Sequence, residues 1–282
     1  MKPNRSPGAS KNEDGRRDHT HRFTGRAEDY SKYRPRYPSG VLEVLESNAR
    51  LGSSSVVADV ASGTGILSEL FLRNGNVTYC VEPNKEMRAL AEEKLAPAYR
   101  GRFRSVRGTA ERTTLAPSSI DLVTVGQALH WLNLERARTE FRRVLKPGGF
   151  VCVLYNELDK KSPAGKEYRR ITKAHARNMA KVPEIKRAYL AGLIAGMKVF
   201  GIPNEQVLDY KGLVGRAFSA SYSPSSDDKE GARALKADLK EMMRKHSVRG
   251  KVTLAYTTRI YLGRVARTPG RAPRLRLVSP PP

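Results

Sequence analysis

The residues with the clearest potential for chemistry lie in a glycine turn at 59–65 and at the end of the next apolar run. The turn begins at Asp59, and Gly63 and Gly65 lie shortly after an apolar run. Glycine lacks a β-carbon, so a ligand can approach its backbone closely. Glu82 closes the next apolar run, and its two carboxylate oxygens suit a ribose diol. This spacing predicts a nucleoside-cofactor site.

The turn departs from the glycine pattern of dinucleotide-binding proteins. That pattern, G-x-G-x-x-G, delivers a pyrophosphate to a helix N-terminus. Here Ser68 stands where the third glycine would fall, and Ala61 precedes the two glycines. A cofactor without phosphate therefore fits better, and an oxidoreductase that uses a nicotinamide cofactor is the weaker alternative.

The elements that must position these residues follow from hydrophobic periodicity. Apolar runs alternate with helical patterns from 41 to 155, which indicates βαβ units and a parallel sheet. Strands are predicted at 53–60, 77–81, 103–107, 120–125 and 150–154, and helices at 66–73 and 83–97. Pro83 is expected at a first helical position. Ligands of such sheets bind at the carboxyl ends of the strands, where Asp59 and Glu82 lie.

The remainder of the chain has a different character. Residues 162–200 are basic and mostly helical in pattern, which predicts a cap with little strand content. A short strand is expected at 206–210 and a final strand at 251–265. Between them, Asp227 and Glu230 resemble a capping box that starts a helix.

Four segments of the chain resemble motifs of class I S-adenosylmethionine-dependent methyltransferases. The turn at 59–65 is similar to their first motif, with Ala61 in place of a glycine, which requires a negative φ at this alanine. Segments 108–111, 119–131 and 143–149 resemble the adenine-edge, fourth-strand and fifth-strand motifs, in the same order. The resemblance implies an α/β, Rossmann-like fold with a mostly parallel seven-stranded sheet flanked by helices, plus the helical cap.

The same resemblance implies that S-adenosyl-L-methionine is the cofactor. The cofactor-binding residues that it implies are Asp59, Ala61, Gly63, Gly65, Glu82, Pro83, Met87, Ala110, Glu111 and Gln127.

Outside this core, segments 29–38, 127–131 and 215–224 resemble a subfamily of small-molecule methyltransferases that includes trans-aconitate methyltransferase-like proteins. The resemblance implies a small-molecule acceptor and a pocket containing Tyr33, Arg34 and Trp131. His130 is the candidate catalytic base, because it is the histidine expected at the carboxyl edge of the sheet. Two alternatives stay open: His130 packs on Trp131 or orients the acceptor, and Tyr33 and Arg34 form a basic surface loop instead of an ordered flap.

These patterns predict one main domain with appendages. Residues 1–22 are expected to form a disordered basic arm and 266–282 a disordered tail, because both are polar and rich in turn-forming residues. The methyltransferase domain is expected at 23–265, with a cofactor-binding core at 41–155, a helical cap at 160–203 and C-terminal strands and helices at 204–265.

The charge balance leaves a second class of function open. The chain has 52 Lys and Arg against 28 Asp and Glu, a net charge of +24. Such a charge is typical of nucleic-acid binding, although much of the excess lies in the two ends. Residues 126–129 lack the Asn/Asp-Pro-Pro-aromatic turn of nucleic-acid amino methyltransferases. A nucleic-acid methyltransferase and a catalytically silent cofactor-binding protein remain the alternatives.

The other composition signals point to an ordinary globular protein. Cys80 and Cys152 lie in apolar runs, where a thiol behaves as a small hydrophobe. The five histidines show no metal-ligand spacing, so no metal is expected. No run reaches membrane-spanning length and the N-terminus has no apolar stretch of a secretory signal, which predicts a cytoplasmic protein without a membrane partner. Nothing in the sequence indicates an oligomeric state.

Overall fold

The computed structural model describes residues 27–177, 187–224 and 227–267. One seven-stranded sheet runs through the described residues in the order β3-β2-β1-β4-β5-β7-β6. The strands are β1 (Val56–Val60), β2 (Val77–Val81), β3 (Phe103–Val106), β4 (Ile120–Gly126), β5 (Leu145–Leu158), β6 (Ile194–Leu208) and β7 (Val252–Val265).

The helices flank this sheet. They are α1 (Ala27–Tyr33), α2 (Gly40–Ala49), α3 (Ile66–Arg73), α4 (Lys85–Ala98), α5 (Leu134–Val144), α6 (Pro163–Ala174), α7 (Arg187–Ala191), α8 (Tyr210–Phe218) and α9 (Lys229–His246). The predicted arm at 1–22 lies outside the described residues, as does the predicted tail beyond Arg267.

The α/β fold with a mostly parallel sheet is confirmed. Strands β1 to β5 pair in parallel, and β7 is antiparallel to both β5 and β6. The strand order reverses at β1 and β4, because the chain moves outward from β1 through β2 and β3 and then returns to β4. A reversal of this kind opens a crevice at the carboxyl ends of the two strands.

The core lies on both faces of the central strands. Phe71 on α3 and Phe141 on α5 are fully buried in separate apolar clusters. Strand β1 contributes Val57 to the cluster of Phe71 and Ala58 to that of Phe141, because successive side chains point to opposite faces. Central strands buried on both faces read as continuous apolar runs, which is why their positions could be predicted.

The predicted start of the helix after β2 is wrong by two residues. Asn84 is the N-cap of α4, and its side chain accepts a hydrogen bond from the amide of Met87 at 3.0 Å. An Asn acceptor satisfies an amide that the helix cannot pair internally, so the helix begins at Lys85 and Pro83 precedes the cap. At its other end α4 continues through Pro97 to Ala98.

The predicted helical cap at 160–203 is wrong in its C-terminal part. Helices α6 and α7 occupy its first part, but Ile194 begins the 15-residue strand β6, so the predicted boundary at 204 falls inside a strand. Pairing with β7 from Ile194 to Leu208 supplies the hydrogen bonds that the local sequence does not announce. Strand β6 lies at the edge of the sheet. Pro203, which has no N–H to donate, therefore does not interrupt the hydrogen bonds between two inner strands.

Two predicted boundaries in the C-terminal part also move. The strand predicted at 206–210 ends at Leu208, because the side chain of Asp209 accepts a hydrogen bond from the amide of Gly212 and caps α8. Helix α9 is capped by Asp228, which accepts from the amide of Gly231 at 2.9 Å, and not by Asp227.

No helix in the described part of the chain has the length and apolar character needed to cross a bilayer.

Candidate functional site

One large cavity opens at the carboxyl ends of β1, β2 and β4. Its volume is about 1090 Å³. Pockets that hold a single drug-sized ligand typically have volumes of roughly 300–1,000 Å³, so this cavity has room for a cofactor and an acceptor together. Nine of the ten predicted cofactor residues line it: Asp59, Ala61, Gly63, Glu82, Pro83, Met87, Ala110, Glu111 and Gln127.

Glu82 lies at the wall of this cavity and joins two segments of backbone. Its Oε2 accepts a hydrogen bond from the amide of Gly63 at 2.8 Å, and its Oε1 accepts from the amide of Asn84 at 2.8 Å. An ionised carboxylate offers about four acceptor positions, so each oxygen keeps one for a ligand hydroxyl. Burial raises the pKa of Glu82, and the two amides oppose that shift. The residue is therefore held as a bidentate acceptor at the cavity.

Asp59 lies beside Glu82 but directs its carboxylate into the protein. Its Oδ2 accepts from the hydroxyl of Ser68 at 2.6 Å, and its Oδ1 accepts from that of Thr124 at 3.1 Å. Burial, aided by the negative charge of Glu82, raises the pKa of Asp59 from 3.8 to about 7, while the two hydroxyl groups oppose the shift. Ser68, which stands where a third glycine would fall, therefore serves to hold Asp59.

Two residues at the cavity adopt the left-handed backbone conformation without being glycine. Ala61, which follows β1, has φ 56°, and Gln127, which follows β4, has φ 58°. The expectation of a negative φ at Ala61 is therefore wrong. Left-handed backbone costs an L-residue about 1–2 kcal/mol, and such strain concentrates at functional sites. The two strained residues therefore lie in the turns directly after β1 and β4, the strands that flank the crevice.

Gly65 lies outside the cavity wall, unlike the other predicted cofactor residues. It is the N-cap of α3 with φ 79°, and a β-carbon there would lie 2.4 Å from the Cδ1 of Leu95 on α4. Real β-carbons are not found at that distance, so any other residue here would adopt a strained left-handed backbone and also displace the side chain of Leu95. Its contribution to the site is to set the path of the turn that carries Gly63.

The segment after β3, which carries Ala110 and Glu111, is held against α5 by hydrogen bonds. Glu140 on α5 accepts from the amide of Thr113 at 2.8 Å and receives two hydrogen bonds of 2.7 Å from Arg143. These bonds from Arg143 are the main reason that the pKa of Glu140 is lowered to about 2. Glu111 in turn accepts from the amide of Asn133 at 2.7 Å, which ties this segment to the start of α5.

His130 and Trp131 lie together in the wall of the cavity. A single 3-10 turn, Leu129–Trp131, carries both side chains directly after β4. Their ring centroids are 4.3 Å apart, and both residues line the cavity. The structure therefore brings the candidate base and the predicted aromatic wall to the site and packs them against each other.

Arg34 lines the cavity, whereas Tyr33 does not. The ring of Tyr33 packs on α8, where a β-carbon at Gly215 would lie 2.2 Å from it. The prediction that Tyr33 belongs to the acceptor pocket is therefore not met, because its side chain fills the contact between α1 and α8. Arg34, one residue later, points to the other side of the chain and reaches the pocket.

The segment that follows α1 is tied down by side-chain amides from the sheet. Gln206 on β6 donates to the carbonyl of Tyr33 at 2.7 Å, and Asn204 donates to that of Arg36 at 2.8 Å. Asn156 on β5 donates to the carbonyl of Pro35 at 3.3 Å. The segment at 33–36 is therefore held against the sheet and is not a free surface loop.

Sequence reasoning missed several residues of the cavity wall. These are chiefly Tyr30, Tyr37, Asn156, Tyr189 and Arg216. Three of them lie in the segments 29–38 and 215–224 that carried the family resemblance, so the signal that could have found them was present. Asn156 and Tyr189 come from regions without a recognisable motif.

The site has no metal-binding character in the ranges that the structure describes, where no group of three potential ligands comes together. Cys80 and Cys152 are free and buried in the sheet. Burial raises the pKa of both thiols, so neither is present as the reactive thiolate at neutral pH.

Comparison with known proteins finds similarity to methyltransferases. Residues 58–153 match a protein-family model described as a methyltransferase domain. An uncharacterised methyltransferase of Mycobacterium tuberculosis is 33% identical over 147 residues, which is 52% of this chain and 56% of that protein. An uncharacterised methyltransferase of Schizosaccharomyces pombe is 28% identical over 138 residues, 48% of this chain and 52% of that protein. The chain thus matches about half the length of these relatives.

Solved structures show the same fold. A putative type II methyltransferase from Anaeromyxobacter dehalogenans aligns with a TM-score of 0.63 at 22% identity, covering 82% of this chain and 98% of that one. A putative methyltransferase from an antibiotic biosynthesis pathway of Anabaena variabilis aligns with a TM-score of 0.55 at 20% identity, covering 83% and 99%.

The sheet order and the solved structures show the Rossmann-like fold of class I methyltransferases, and residues 58–153 match the methyltransferase domain model. S-adenosylmethionine is the cofactor that this class implies. The residues present fit it, because Glu82 keeps two free acceptor positions for a diol and Gly63 leaves the adjoining wall without a side chain.

Proposed function

We propose that this protein transfers a methyl group from S-adenosylmethionine to a small-molecule acceptor by in-line displacement. The observation that carries the proposal is the bidentate carboxylate of Glu82, which opens into the same cavity as Arg34, His130 and Trp131. A single cavity with a cofactor half and an acceptor half is what a displacement between two bound molecules requires.

The residues of the cofactor half have distinct roles in this proposal. Glu82 accepts hydrogen bonds from the ribose hydroxyls, and the bare backbone at Gly63 allows the close approach. Ala110 and Glu111 border the adenine. When bound, S-adenosylmethionine supplies a methyl group on a sulfonium, which leaves as a neutral thioether with the electron pair of the broken carbon–sulfur bond. Asp59 stabilises the turn through the hydrogen bonds that it accepts from Ser68 and Thr124.

The acceptor half supplies orientation and excludes water. Holding two reactants in line is worth on the order of several kcal/mol of activation free energy, so a strong base is optional. For a hydroxyl acceptor, His130 is the group placed to take the proton that is lost as the new bond to carbon forms. An acceptor that attacks through a carboxylate oxygen has no proton to lose, and His130 then serves to orient it.

The shape of the acceptor half favours a small molecule. Tyr37 follows α1, Arg216 lies in α8 and Tyr189 in α7, so three separate parts of the chain line this end of the cavity. A nucleic-acid base would have to leave its stack and enter past these walls. The charge of +24 makes labelled RNA the principal contrary outcome of the test.

The test uses purified full-length protein and radiolabelled S-adenosylmethionine with a cell extract divided into a low-molecular-mass filtrate and a nucleic-acid fraction. We expect label in the filtrate with the wild-type protein and none with Glu82→Ala, which removes both acceptor oxygens. Glu43→Ala is the matched control, because Glu43 is an exposed carboxylate on α2. Label that enters RNA would overturn the small-molecule acceptor. Cofactor binding without any transfer would favour a silent binding protein.

A further inference from the structure

Two arginine side chains meet at the acceptor end of the cavity. Arg34 follows α1 and Arg216 lies within α8, and both line the cavity wall. The Nε atoms of both are buried and have no hydrogen-bond partner. Arg34 donates through Nη2 to the carbonyl of Ser219 at 2.9 Å. In the described parts of the chain, no carboxylate forms an ion pair with either guanidinium.

Aromatic rings surround the two guanidinium groups. The Cζ of Arg34 lies 4.8 Å from the ring centre of Tyr30, and the Cζ of Arg216 lies 5.8 Å from that of Tyr168. A ring face attracts a cation, but it does not satisfy the N–H donors at the edge of the guanidinium. Burial, together with the positive charge of Arg216, lowers the pKa of Arg34. Burial acts in the same direction on Arg216, but the neighbouring Tyr168, Tyr256 and Tyr222 raise its pKa above the ordinary value. The pair therefore holds two like charges in a buried place without an opposite charge.

The backbone contacts described above fix this arrangement. Gly215 allows the ring of Tyr33 to pack against α8, so the next residue in each segment, Arg34 or Arg216, is brought to the same end of the cavity. Gln206 also holds the carbonyl of Tyr33 at 2.7 Å. Buried guanidinium groups without an ion-pair partner are costly, so their joint placement in a cavity favours a ligand that supplies the missing negative charge.

We propose that Arg34 and Arg216 form the binding site for an oxyanion group of the methyl acceptor, a carboxylate or a phosphate, and that the acceptor is an anionic small molecule. That the bound anion is the methyl acceptor rests on the proposed function, whereas the anion site rests on the two guanidinium groups alone. Each guanidinium offers a planar fork of donors that matches two oxygens of such a group. An acceptor held there extends toward His130 and Trp131, which line the same cavity.

The site has a property that separates it from a structural arginine cluster. An oxyanion bound between the two guanidinium groups is expected to raise the melting temperature of the wild-type protein, and Arg216→Gln is expected to abolish that rise. Arg34→Gln also loses the hydrogen bond to Ser219 and is therefore the less clean variant. A structural role for Arg216 predicts an equal rise in the wild-type protein and in Arg216→Gln.

The experiment measures binding of citrate and of inorganic phosphate to the full-length protein loaded with S-adenosylhomocysteine, by calorimetry at constant ionic strength. The matched control is Arg36→Gln, because Arg36 is exposed, pairs with Glu69 and lies outside the cavity wall. We expect Arg216→Gln to weaken binding of at least one probe about tenfold or more, as for loss of charge-assisted hydrogen bonds. Arg216→Lys should recover part of the affinity, and Arg36→Gln should change it less than about twofold.

The probes separate the two kinds of oxyanion, since citrate reports a carboxylate site and phosphate a phosphate site. Absence of millimolar binding of both probes to the wild-type protein would overturn the proposal. Equal weakening by Arg216→Gln and Arg36→Gln would also overturn it, because a general loss of positive charge would then be the cause. A fall in melting temperature with Arg216→Gln, accompanied by unchanged affinity for both probes, would assign the pair a structural role.

A second arm keeps this inference apart from the proposed function. The filtrate is separated on an anion exchanger before the methyl-transfer assay. We expect label in retained, anionic compounds, with a higher KM and a smaller change in kcat for Arg216→Gln. Label in unretained compounds at a rate that Arg216→Gln does not alter would refute the anion site and leave methyl transfer intact. Probe binding that depends on Arg216, without any methyl transfer, would support the anion site and refute the proposed function.

Discussion

The carboxylate of Glu82, at the end of β2, accepts the backbone amide of Gly63 in the turn after β1, at 2.8 Å. This hydrogen bond joins the carboxyl ends of the two neighbouring strands, because it ties the ligand-facing turn to the acid that faces the same ligand. The amide of Asn84 on the other oxygen fixes the plane of the carboxylate. Four predictions follow from this site and the contacts around it.

Replacement of Glu82 by glutamine tests the bidentate acceptor at almost constant shape. The amide nitrogen of glutamine donates where the carboxylate oxygen accepts, so it faces either Gly63 N–H or Asn84 N–H. We expect S-adenosylmethionine affinity to fall at least tenfold and the free energy of unfolding to fall by about 1–3 kcal/mol. Calorimetry and urea unfolding measure the two effects, with Glu43→Gln as control. Wild-type affinity in Glu82→Gln would show that the cofactor does not depend on this carboxylate.

Replacement of Ala61 by glycine tests the backbone strain. Because φ is 56° at this residue, glycine removes a local cost that slightly exceeds the entropy it adds to the unfolded chain. We expect the free energy of unfolding to rise by about 0.5–1 kcal/mol. Ala96→Gly, in the exposed part of α4, should lower it by about 1 kcal/mol. Urea unfolding of both variants checks the opposite signs, and a loss of stability in Ala61→Gly would contradict the strain.

The pH dependence of stability tests Asp59. Its pKa in the folded protein is about 7, above the ordinary 3.8, so between these pH values the folded state holds a proton that the unfolded chain has released. The free energy of unfolding should therefore fall as pH rises from about 4 to 7, by up to about 4 kcal/mol at 1.4 kcal/mol per pKa unit. The stabilisation is complete below this window and absent above it.

Asp59→Asn is the matched variant for that measurement, because it keeps the shape and cannot titrate. Urea unfolding of both proteins at several pH values between 4.5 and 7.5 gives the difference directly. Carboxylates with a lowered pKa, such as Glu140 at about 2, lose their stabilisation below this range and do not disturb it. Parallel curves for the two proteins would mean that Asp59 is ionised in the folded state across the whole range.

Replacement of Gly215 by alanine tests the contact that carries Arg34 to the cavity. The new β-carbon would lie 2.2 Å from the ring of Tyr33, so α1 and α8 must separate. Overpacking of this kind costs about 1–3 kcal/mol of unfolding free energy. Gly52→Ala is the control, because nothing lies within 4 Å of its added carbon. We expect Gly215→Ala also to weaken citrate or phosphate binding, and wild-type melting with wild-type probe affinity would contradict the contact.

Periodicity identified the central part of the fold from the sequence. Strands β1, β2 and β4 are buried on both faces, so they read as continuous apolar runs between turn residues, and α3 was predicted with the bounds it has. Strand β6 was read as part of a helical cap. It gains its conformation by pairing along β7, a partner about 60 residues away, and no local pattern announces such a pairing.

The same distinction applies to the site. Glu82 and Gly63 were predicted because close approach to a ligand and acceptance from a diol demand particular residue types at a fixed spacing. The positive φ of Ala61, the packing role of Gly65 and the exclusion of Tyr33 from the cavity were not predicted. Each depends on how a turn or a helix meets another element, which residue types alone do not express.

By itself, then, the sequence determined the class of fold and the cofactor half of the cavity, since apolar runs and a glycine turn are dictated by short-range physics. Only the tertiary structure brought Arg34 and Arg216, 182 positions apart in the chain, to one end of that cavity. Their pairing depends on the contact between Tyr33 and Gly215, which joins α1 to α8. A charge pair of this kind is a property of packing, because either arginine alone reads as one more basic residue in a basic protein.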